Sequence, residues 1–342
     1  MNRRETEHQV EHADRGARPG VAAAVPALLA ALVVLLAGCA GATPAGPVVP
    51  IRPVPAGTTT LAGAPATAPD TSCGDPRVSL TPTPPVAPGA MPAGSTMARI
   101  VARGVLVVGV DQSTVPLSYR DPRSGELTGL DVAVAREMAR AIFGDPTRVR
   151  FRIESAAERI PNLLSGSVDL VVQAMTITCE RKRQIGLSSV YYDATQRLVV
   201  PRVSPVTGIA DLGGRPVCAP LGTTSMATLQ SVRGADGRAP VAVGVPENSD
   251  CLVLLQQGQV DAATTDDTIL TGFALEDRRL EVRGPALGSE AYGIGVAPQN
   301  TDLLRFVNGV LDRIRTDGTL AGIATATVGS AAAVPPAGAY AG

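Results

Sequence analysis

The amino-acid sequence predicts an α/β fold in which mainly parallel sheets are flanked by helices. Short β-branched runs alternate with longer segments of helical apolar spacing over about 97–330, a pattern typical of βα units. The chain has 342 residues and is 45% hydrophobic, so it can bury one large core or two modest ones. The segments on either side of this region show neither the strand period nor the helix period.

The predicted elements follow one another in a regular order. Val105–Val110 is a β-branched run that predicts a buried strand, and a helix over 131–143 ends at Gly144. Further strands are predicted at 149–153, 168–172, 216–219, 241–245 and 260–264, and further helices at 158–164, 224–232, 250–257, 268–275 and 301–315. Ligands bind beyond the carboxyl ends of parallel strands, so polar residues just after each strand are the candidate site residues.

Residues 1–38 have the pattern of a secretory signal peptide. An arginine-bearing polar region precedes an Ala/Val/Leu run from Val21 to Leu36, which is too short for a comfortable membrane span. The stretch from Leu36 to Cys39 resembles the bacterial lipobox, which implies cleavage before Cys39 and diacylglyceryl modification of its thiol. The alternative is that Cys39 is an ordinary buried or disulfide-bonded cysteine. We expect a lipoprotein, with fatty acids such as palmitate on Cys39, held at the extracytoplasmic face of the cell membrane.

Two flanking segments are predicted to be disordered. Residues 39–96, which begin with the lipidated Cys39, are rich in Pro, Ala, Gly and Thr and read as an extended tether. Residues 331–342 have a similar composition and read as a disordered tail.

The composition excludes several kinds of chemistry. The two histidines, His8 and His12, both precede the hydrophobic run, so the exported protein is expected to have no Ser-His-Asp or Cys-His catalytic system. Lys182 is the single lysine and lies in no P-loop motif. A formal net charge of −1 argues against nucleic acid as a partner, because phosphate binding needs a basic face. We expect no catalytic residue, no metal and no cofactor.

Four cysteines remain besides Cys39. An even number in an exported chain favours disulfides, and four cysteines allow three connectivities. None has C-x-x-C spacing, and without histidine a zinc site would need all four thiolates from distant segments. The four are Cys73, Cys179, Cys218 and Cys251.

Five blocks of the sequence match a known family in the same order along the chain: Asp121–Ala133, Ser167–Arg183, Leu221–Ser225, Val260–Thr268 and Tyr292–Val296. Together they resemble the polar amino-acid solute-binding proteins of ABC importers, in particular the glutamine and glutamate/aspartate binders. The resemblance covers about 97–318 and implies a periplasmic-binding-protein-like type II fold. In this fold two α/β lobes, joined by two crossover hinge strands, close on a ligand in the cleft between them.

The resemblance also implies how the chain divides between the lobes. Lobe one takes residues 97–197 plus 288–330, and lobe two takes residues 198–287. Cys218 and Cys251 then fall in the same lobe, which favours their pairing. The remaining pair, Cys73–Cys179, would attach the tether to lobe one.

The resemblance assigns five positions to the head group of an α-amino acid. Arg181 pairs with the ligand carboxylate, for which a planar guanidinium is well suited, and Thr176 adds a hydrogen bond. Thr224 contributes a backbone N–H at the start of a helix, where the helix dipole also favours an anion. The carbonyl of Ala174 and the carboxylate of Asp266 receive the ligand ammonium. Without the resemblance, Arg181 reads as a solvated arginine and Asp266 as a helix N-cap.

Two further positions are matched to the ligand side chain. Asp111 corresponds to an aspartate that faces the side-chain amide in glutamine binders, and Arg159 to an arginine that grips a side-chain carboxylate in glutamate/aspartate binders. Both also have ordinary structural readings, as a turn cap and as an ion-pair partner. The positions of the stacking aromatics in glutamine binders carry Thr114 and Ala156, so we expect a ligand held by charge and hydrogen bonds. Glu, Asp, Gln and Asn all remain open.

The resemblance predicts a monomeric, lipid-anchored binding protein that is not an enzyme. It would deliver a polar amino acid to an ABC permease driven by a cytoplasmic ATPase. In a second hypothesis the same ligand is reported to a membrane sensor protein instead. A third hypothesis, a dehydratase-like enzyme on the same fold, would need a carboxylate as its acid or base.

Overall fold

The computed structural model describes residues 53–64, 70–84, 86–330 and 332–341. The chain divides into two compact units, residues 1–51 and 52–342, and every described residue lies in the second unit. The predicted signal peptide and the predicted lipidation site Cys39 lie outside the described residues. In the part that is described, no helix combines the length and the apolar character needed to cross a membrane.

The predicted strands and helices are present in the predicted order, together with further short strands and helices that the sequence did not predict. The strands are β1 Thr59–Leu61, β2 Ser79–Leu80, β3 Leu106–Val110, β4 Ser113–Thr114, β5 Ser118–Arg120, β6 Leu127–Thr128, β7 Val149–Ile153, β8 Leu170–Val171, β9 Gly186–Leu187, β10 Tyr192–Pro201, β11 Pro216–Pro220, β12 Val241–Val245, β13 Ala262–Asp266, β14 Leu280–Tyr292, β15 Gly295–Val296 and β16 Tyr340–Ala341. The helices are α1 Thr96–Arg103, α2 Leu130–Phe143, α3 Arg159–Leu164, α4 Cys179–Lys182, α5 Thr224–Ser231, α6 Asn248–Gln256, α7 Asp267–Glu276, α8 Thr301–Thr316 and α9 Thr319–Val328, with a 3-10 turn at Ile209–Leu212.

One half of the fold, which we call lobe one, is built on a five-stranded sheet in the order β7-β3-β8-β15-β9. Strand β3 pairs in parallel with β7 and β8, and β15 joins β8 and β9 in antiparallel fashion. Helix α2 packs against β3, and helix α8 packs against β15. Because helices cover the sheet, β3 is buried along its whole length and has no polar alternation.

The other half, which we call lobe two, is built on a six-stranded sheet in the order β1-β12-β11-β13-β10-β14. Strand β11 pairs in parallel with β12 and β13, whereas β1 and β10 are antiparallel to their neighbours. The parallel strands β12, β11 and β13 therefore lie inside the lobe two sheet, whereas β7, β3 and β8 form one side of the lobe one sheet. Antiparallel strands extend each sheet, so both sheets are mixed.

Strands β10 and β14 are the two connections between the lobes. They pair antiparallel from Tyr192 opposite Tyr292 to Pro201 opposite Leu280, with a register shift between Gln196 and Leu198. The predicted boundaries at 197/198 and 287/288 fall inside these two strands. Both strands are hydrogen-bonded into the sheet of lobe two. This sheet therefore extends to the cleft between the lobes.

The tether is predicted to be disordered over 39–96, but its described residues, 53–64, 70–84 and 86–96, are ordered. Residues 39–52 lie outside the described residues. Strand β1 adds to the edge of the lobe two sheet by pairing with β12. The amide N–H of Ala64 donates to the Gln230 carbonyl at 2.9 Å, and the Gln230 side-chain amide donates to the Ala62 carbonyl at 3.0 Å. Pairing with a sheet edge satisfies backbone groups that a Pro/Ala-rich segment cannot satisfy within itself.

Further along, the same segment lies on lobe one. Cys73 forms a disulfide with Cys179 at the start of α4. The Lys182 ammonium donates to the Pro76 carbonyl at 3.2 Å, and the Asn308 side-chain amide donates to the Leu80 carbonyl at 2.7 Å. We call the described residues between 53 and 95 the strap, because their successive parts are attached to lobe two and then to lobe one.

The C-terminal tail is also ordered in its described part, against the prediction for 331–342. Strand β16 pairs in parallel with β2 of the strap. The Tyr340 hydroxyl donates to Ser189 Oγ at 3.1 Å. The strap and the tail therefore pair with each other on the surface of lobe one. This pairing is long-range and has no local sequence signal.

Both predicted disulfides are present in the structure. Their Cα–Cα distances are 5.4 Å for Cys73–Cys179 and 5.5 Å for Cys218–Cys251. Cys218 lies in β11 and Cys251 in α6, and both are buried in lobe two. The second disulfide therefore fixes a helix to the central strand of its own sheet, whereas the first attaches the strap to lobe one.

Candidate functional site

A cavity lies where the carboxyl ends of the parallel strands of the two lobes meet. Asp111 directly follows strand β3, and Asp266 is the last residue of strand β13; both line the cavity. Such a position is where ligands bind in open α/β sheets. All seven residues predicted from the sequence to bind ligand line this one cavity: Asp111, Arg159, Ala174, Thr176, Arg181, Thr224 and Asp266.

Arg181 is brought to the cavity by the short helix α4. Thr178 caps this helix, its Oγ1 accepting from the Arg181 N–H at 3.2 Å. In the guanidinium, Nη1 donates to the Thr176 carbonyl at 2.6 Å and Nη2 donates to the Gly222 carbonyl at 3.3 Å. Burial lowers the pKa of Arg181, and the Glu290 carboxylate opposes this shift. The result is a buried planar cation, the group best suited to a carboxylate.

Arg159 is bound to backbone carbonyls through all three of its guanidinium nitrogens. Nε donates to Ala156 at 2.9 Å, Nη1 donates to Gln173 at 3.0 Å, and Nη2 donates to Gly222 at 3.2 Å. Burial, and after it the charge of Arg181, lower the pKa of Arg159 to about 9. In this structure Arg159 therefore links α3 of lobe one to the loop before α5 of lobe two. This bonding differs from the predicted grip on a ligand carboxylate.

Thr176 and Thr224 come from different lobes and meet at the cavity. Their Oγ1 atoms are 3.2 Å apart. Thr224 begins α5, whose N-terminus is capped by Thr223 Oγ1 accepting from the Met226 N–H at 3.1 Å. Both threonine hydroxyls donate to the buried carboxylate of Glu290, at 2.8 Å from Thr224. Glu290 is not among the residues that line the cavity, but it contacts both threonines that do, and the sequence did not single it out.

Ala174 has a left-handed backbone conformation, with φ of 42°, the only positive φ among the described non-glycine residues. Its N–H donates to Asp131 Oδ2 at 3.0 Å, and Asp131 Oδ1 accepts from the Tyr191 hydroxyl at 2.7 Å. Burial raises the pKa of Asp131 to about 7. Left-handed residues other than glycine are strained and occur often at functional sites.

Asp266 lies at the junction of β13 and α7. Its Oδ2 accepts a hydrogen bond from the Tyr292 hydroxyl at 2.6 Å, and burial raises its pKa well above the usual range. Its side chain does not cap helix α7. Asp267 is the first residue of the helix and accepts hydrogen bonds from the hydroxyl and the N–H of Thr195. Asp266 is thus left as a buried carboxyl facing the cavity.

The predicted side-chain end of the cavity is polar. Oδ1 of Asp111 accepts from the Ser113 hydroxyl at 3.0 Å. The Asn248 amide of lobe two donates to Thr114 Oγ1 of lobe one at 3.1 Å. Gln173 also lines the cavity, and its amide nitrogen donates to the Glu154 carbonyl at 3.0 Å. Its Oε1 is buried and has no hydrogen-bond partner among the described residues.

No aromatic ring is among the described residues that line this cavity. Thr114 and Ala156, the positions matched to stacking aromatics, both line it, and Ile269 is its large apolar residue. The lining agrees with the expectation that polar contacts dominate ligand recognition.

The lobes touch each other directly across the cleft. The Gly222 carbonyl of lobe two receives hydrogen bonds from Arg159 and Arg181 of lobe one. Gly222 has φ of +73°, and a Cβ there would lie 2.7 Å from Cα of Ala157. Only glycine allows this conformation together with so close an approach. The structure therefore shows the lobes in a closed arrangement.

The sequence did not single out two residues that line the cavity, Asp131 and Gln173, nor Glu290, which contacts Thr176 and Thr224. Each had a weak signal. Asp131 is an acidic residue in the buried first turn of α2, and Glu290 lies two residues before the Tyr292–Val296 block. Gln173 follows strand β8, and polar residues just after a strand are candidate site residues. A polar residue within a buried apolar run is uncommon unless it is paired.

These features define a two-lobed solute-binding protein of the type II periplasmic-binding fold. Two α/β lobes are joined by two crossover strands, and polar groups of both lobes surround one cavity. The chain belongs to the bacterial extracellular solute-binding proteins, family 3, whose family model matches residues 106–329. The resemblance predicted from the five sequence blocks is confirmed, and so is the fold class.

Individual relatives agree with this assignment. The chain is 34% identical over 224 residues to the ABC transporter glutamine-binding protein of Bacillus subtilis, covering 65% of this chain and 81% of that protein. It is similar to the solute receptor for L-cysteine of Neisseria gonorrhoeae, with a TM-score of 0.63, 29% identity, and coverage of 68% and 93%. It is also similar to an ancestral arginine-binding protein bound to glutamine, with a TM-score of 0.61, 30% identity, and coverage of 67% and 99%.

Proposed function

We propose that this protein captures a polar amino acid in its interlobe cavity and delivers it to an ABC importer. One observation carries the proposal: the buried cation of Arg181 and the buried carboxyl of Asp266 line the same cavity. An α-amino acid offers the complementary pair, a carboxylate and an ammonium, and would replace the water that each group loses on closure. The relative from Bacillus subtilis, described as a glutamine-binding protein of an ABC transporter, supports the same reading.

We infer that side-chain amides, as in glutamine and asparagine, bind better than the acids glutamate and aspartate. The guanidinium nitrogens of Arg159 already donate to backbone carbonyls. Asp111 and the unpaired Oε1 of Gln173 are acceptors, which suit the N–H₂ group of an amide. A second carboxylate on the ligand would face these acceptors, and three of the five N–H groups of Arg159 already donate to backbone carbonyls, which disfavours its binding.

The proposal includes the location of the protein and its mode of attachment. We infer a monomer that is anchored by lipid on Cys39 at the extracytoplasmic face, with the strap joining the anchor to the lobes. No chemical step is proposed, because capture and release need only a difference in affinity between open and closed lobes.

The test is a thermal-shift panel of the twenty amino acids on the full chain. Binding stabilises the folded state by mass action, so glutamine and asparagine are expected to raise Tm most, followed by glutamate and aspartate. Arg181→Ala is expected to abolish every shift. Arg150→Ala, which removes an exposed arginine on β7, is the matched control and should leave the shifts intact. Shifts caused only by basic or large apolar amino acids would contradict the proposal.

A membrane sensor in place of the permease is the second candidate, and cells distinguish the two. Uptake of the amino acid identified by the panel is measured in cells with and without the gene. Delivery to an importer predicts that uptake falls when the gene is deleted. Unchanged uptake together with intact binding would favour the sensor instead.

A further inference from the structure

Glu290 places a carboxylate among the groups assigned to the carboxylate of the ligand. It lies on the crossover strand β14, and its side chain is buried. Its Oε2 accepts from Thr176 Oγ1 of lobe one and from Thr224 Oγ1 of lobe two, the latter at 2.8 Å. The Arg181 charge also acts on it. The protein therefore holds an acid of its own at this point of the cleft.

The carboxylate of Glu290 takes up the hydrogen-bond donors that a ligand carboxylate would need. A threonine hydroxyl has one proton to donate, and in this structure Thr176 and Thr224 both donate theirs to Glu290. While the Glu290 carboxylate is ionised and accepts both protons, neither hydroxyl can donate to a ligand carboxylate. Two carboxylates that share one small site cannot both stay ionised at low cost.

We propose that Glu290 is an affinity-determining residue that competes with the α-carboxylate of the ligand, and that the ligand binds the form in which Glu290 carries a proton. The proposal rests on the proposed function. The proton comes from solvent or from a neighbouring carboxyl and is held on Glu290 Oε. No bond other than this O–H bond is formed, and the hydroxyls of Thr176 and Thr224 are released to the ligand.

The charged surroundings support this direction. Arg159 on α3, Arg181 on α4 and Asp266 at the end of β13 act on Glu290, and the nearest ionisable group on its own strand is Tyr292. Burial raises the pKa of Glu290, whereas the two threonine hydroxyls and then the two arginines lower it. A bound carboxylate would occupy the hydroxyls and neutralise Arg181, so the pKa of Glu290 rises further on binding.

The sign of the pH dependence follows from this shift. Where Glu290 is ionised in the free protein but protonated in the complex, binding takes up a proton, so affinity increases as pH falls. One coupled proton corresponds to as much as a tenfold change in Kd per pH unit. The Asp266 carboxyl opposes this trend if it releases a proton to meet the ligand ammonium. A direct signal from the Glu290 carboxyl is therefore needed besides the affinity.

The experiment is infrared difference spectroscopy of the full chain with and without the best amino acid of the panel, combined with calorimetric titration. The wild type is expected to gain a protonated-carboxyl C=O band and lose a carboxylate band on binding. Glu290→Gln, which is neutral and nearly isosteric, should lack this band pair. This variant should also bind the amino acid at least about tenfold more tightly than wild type at pH 8. Glu126→Gln, at an exposed glutamate, should behave as wild type.

The outcomes separate the two proposals. Binding by the wild type without any new protonated-carboxyl band would overturn the role of Glu290 and leave the proposed function standing. Persistence of the band pair in Glu290→Gln, or weaker binding by this variant at pH 8, would also overturn it. If the wild type binds none of the twenty amino acids, the proposed function itself fails.

Discussion

Single residues of the cavity are held in states that an isolated peptide would avoid. Ala174 has a left-handed backbone, Asp131 is a fully buried acid, and Arg159 and Arg181 are buried cations. The sequence predicted which positions line the cavity because their motifs are local and ordered. It could not predict the partners of Arg159, since the carbonyls that it binds belong to three separate segments. Glu290 was missed for the same reason, as its partners come from both lobes.

The strained conformation of Ala174 leads to a stability prediction. A left-handed residue with a Cβ costs roughly 1–2 kcal/mol, and glycine avoids this cost. Ala174→Gly is therefore expected to raise the free energy of unfolding by about 1 kcal/mol, measured by urea titration. The control is Ala326→Gly in α9, an exposed helical position, which should lose about 1 kcal/mol. Equal losses in both variants would contradict the strain at Ala174.

Asp131 gives a prediction for pH. Burial raises its pKa to about 7 in the folded protein, whereas an unfolded aspartate titrates near its model value of 3.8. Between pH 4 and 7 the folded state holds a proton that the unfolded state has lost, so this group makes stability fall as pH rises. Asp131 can change the free energy of unfolding by at most about 1.4 kcal/mol per pH unit. In denaturant titrations across this range, Asp131→Asn should show a flatter profile; an unchanged slope would contradict the assignment.

At the scale of elements, strands and helices with a local pattern were predicted to within two residues. Strand β3 and helix α2 carry the β-branched run and the apolar face that define them. Strand β14 contains Gly284, Pro285 and Gly288, which read locally as a turn, and it is a strand because it pairs with β10. Strand β1 has three residues and exists through its pairing with a sheet edge. Non-local pairing of this kind leaves little trace in local sequence.

The two disulfides give a prediction at this scale. They close loops with sequence separations of 106 residues for Cys73–Cys179 and 33 residues for Cys218–Cys251. Loop entropy predicts stabilisation of about 5 and about 4 kcal/mol, respectively. Replacing each pair by alanine should therefore lower the free energy of unfolding by comparable amounts in guanidinium titrations, with the larger loss for Cys73–Cys179. No loss for that pair would show that the strap does not contribute to the stability of lobe one.

At the scale of the whole molecule, the strap adds a third connection between the lobes. Its β1 segment is paired to lobe two, and Cys73 is bonded to lobe one, with residues 65–69 between these attachments outside the described residues. The two crossover strands alone would leave the opening of the cleft to hinge motion. A segment fixed to both lobes limits how far they can separate.

Removing the lobe two attachment tests this role. Deletion of residues 56–64 is expected to increase the radius of gyration of the ligand-free protein in small-angle scattering, because the lobes can open further. Saturating ligand should reverse the increase, since it bridges the lobes. Deletion of residues 40–48, of equal length, is the control and should not change how the radius responds to ligand. If the two deletions behave alike, the strap does not restrain the lobes.

The central claim is that the cavity recognises both charged groups of an α-amino acid. The most direct measurement is calorimetric titration of the full chain with the best amino acid of the panel and with its analogue that lacks the α-ammonium group. We expect the amino acid to bind one to one and the analogue to bind at least 100-fold more weakly, because buried Asp266 would be left without its partner. Equal affinities for the two compounds would contradict the claim.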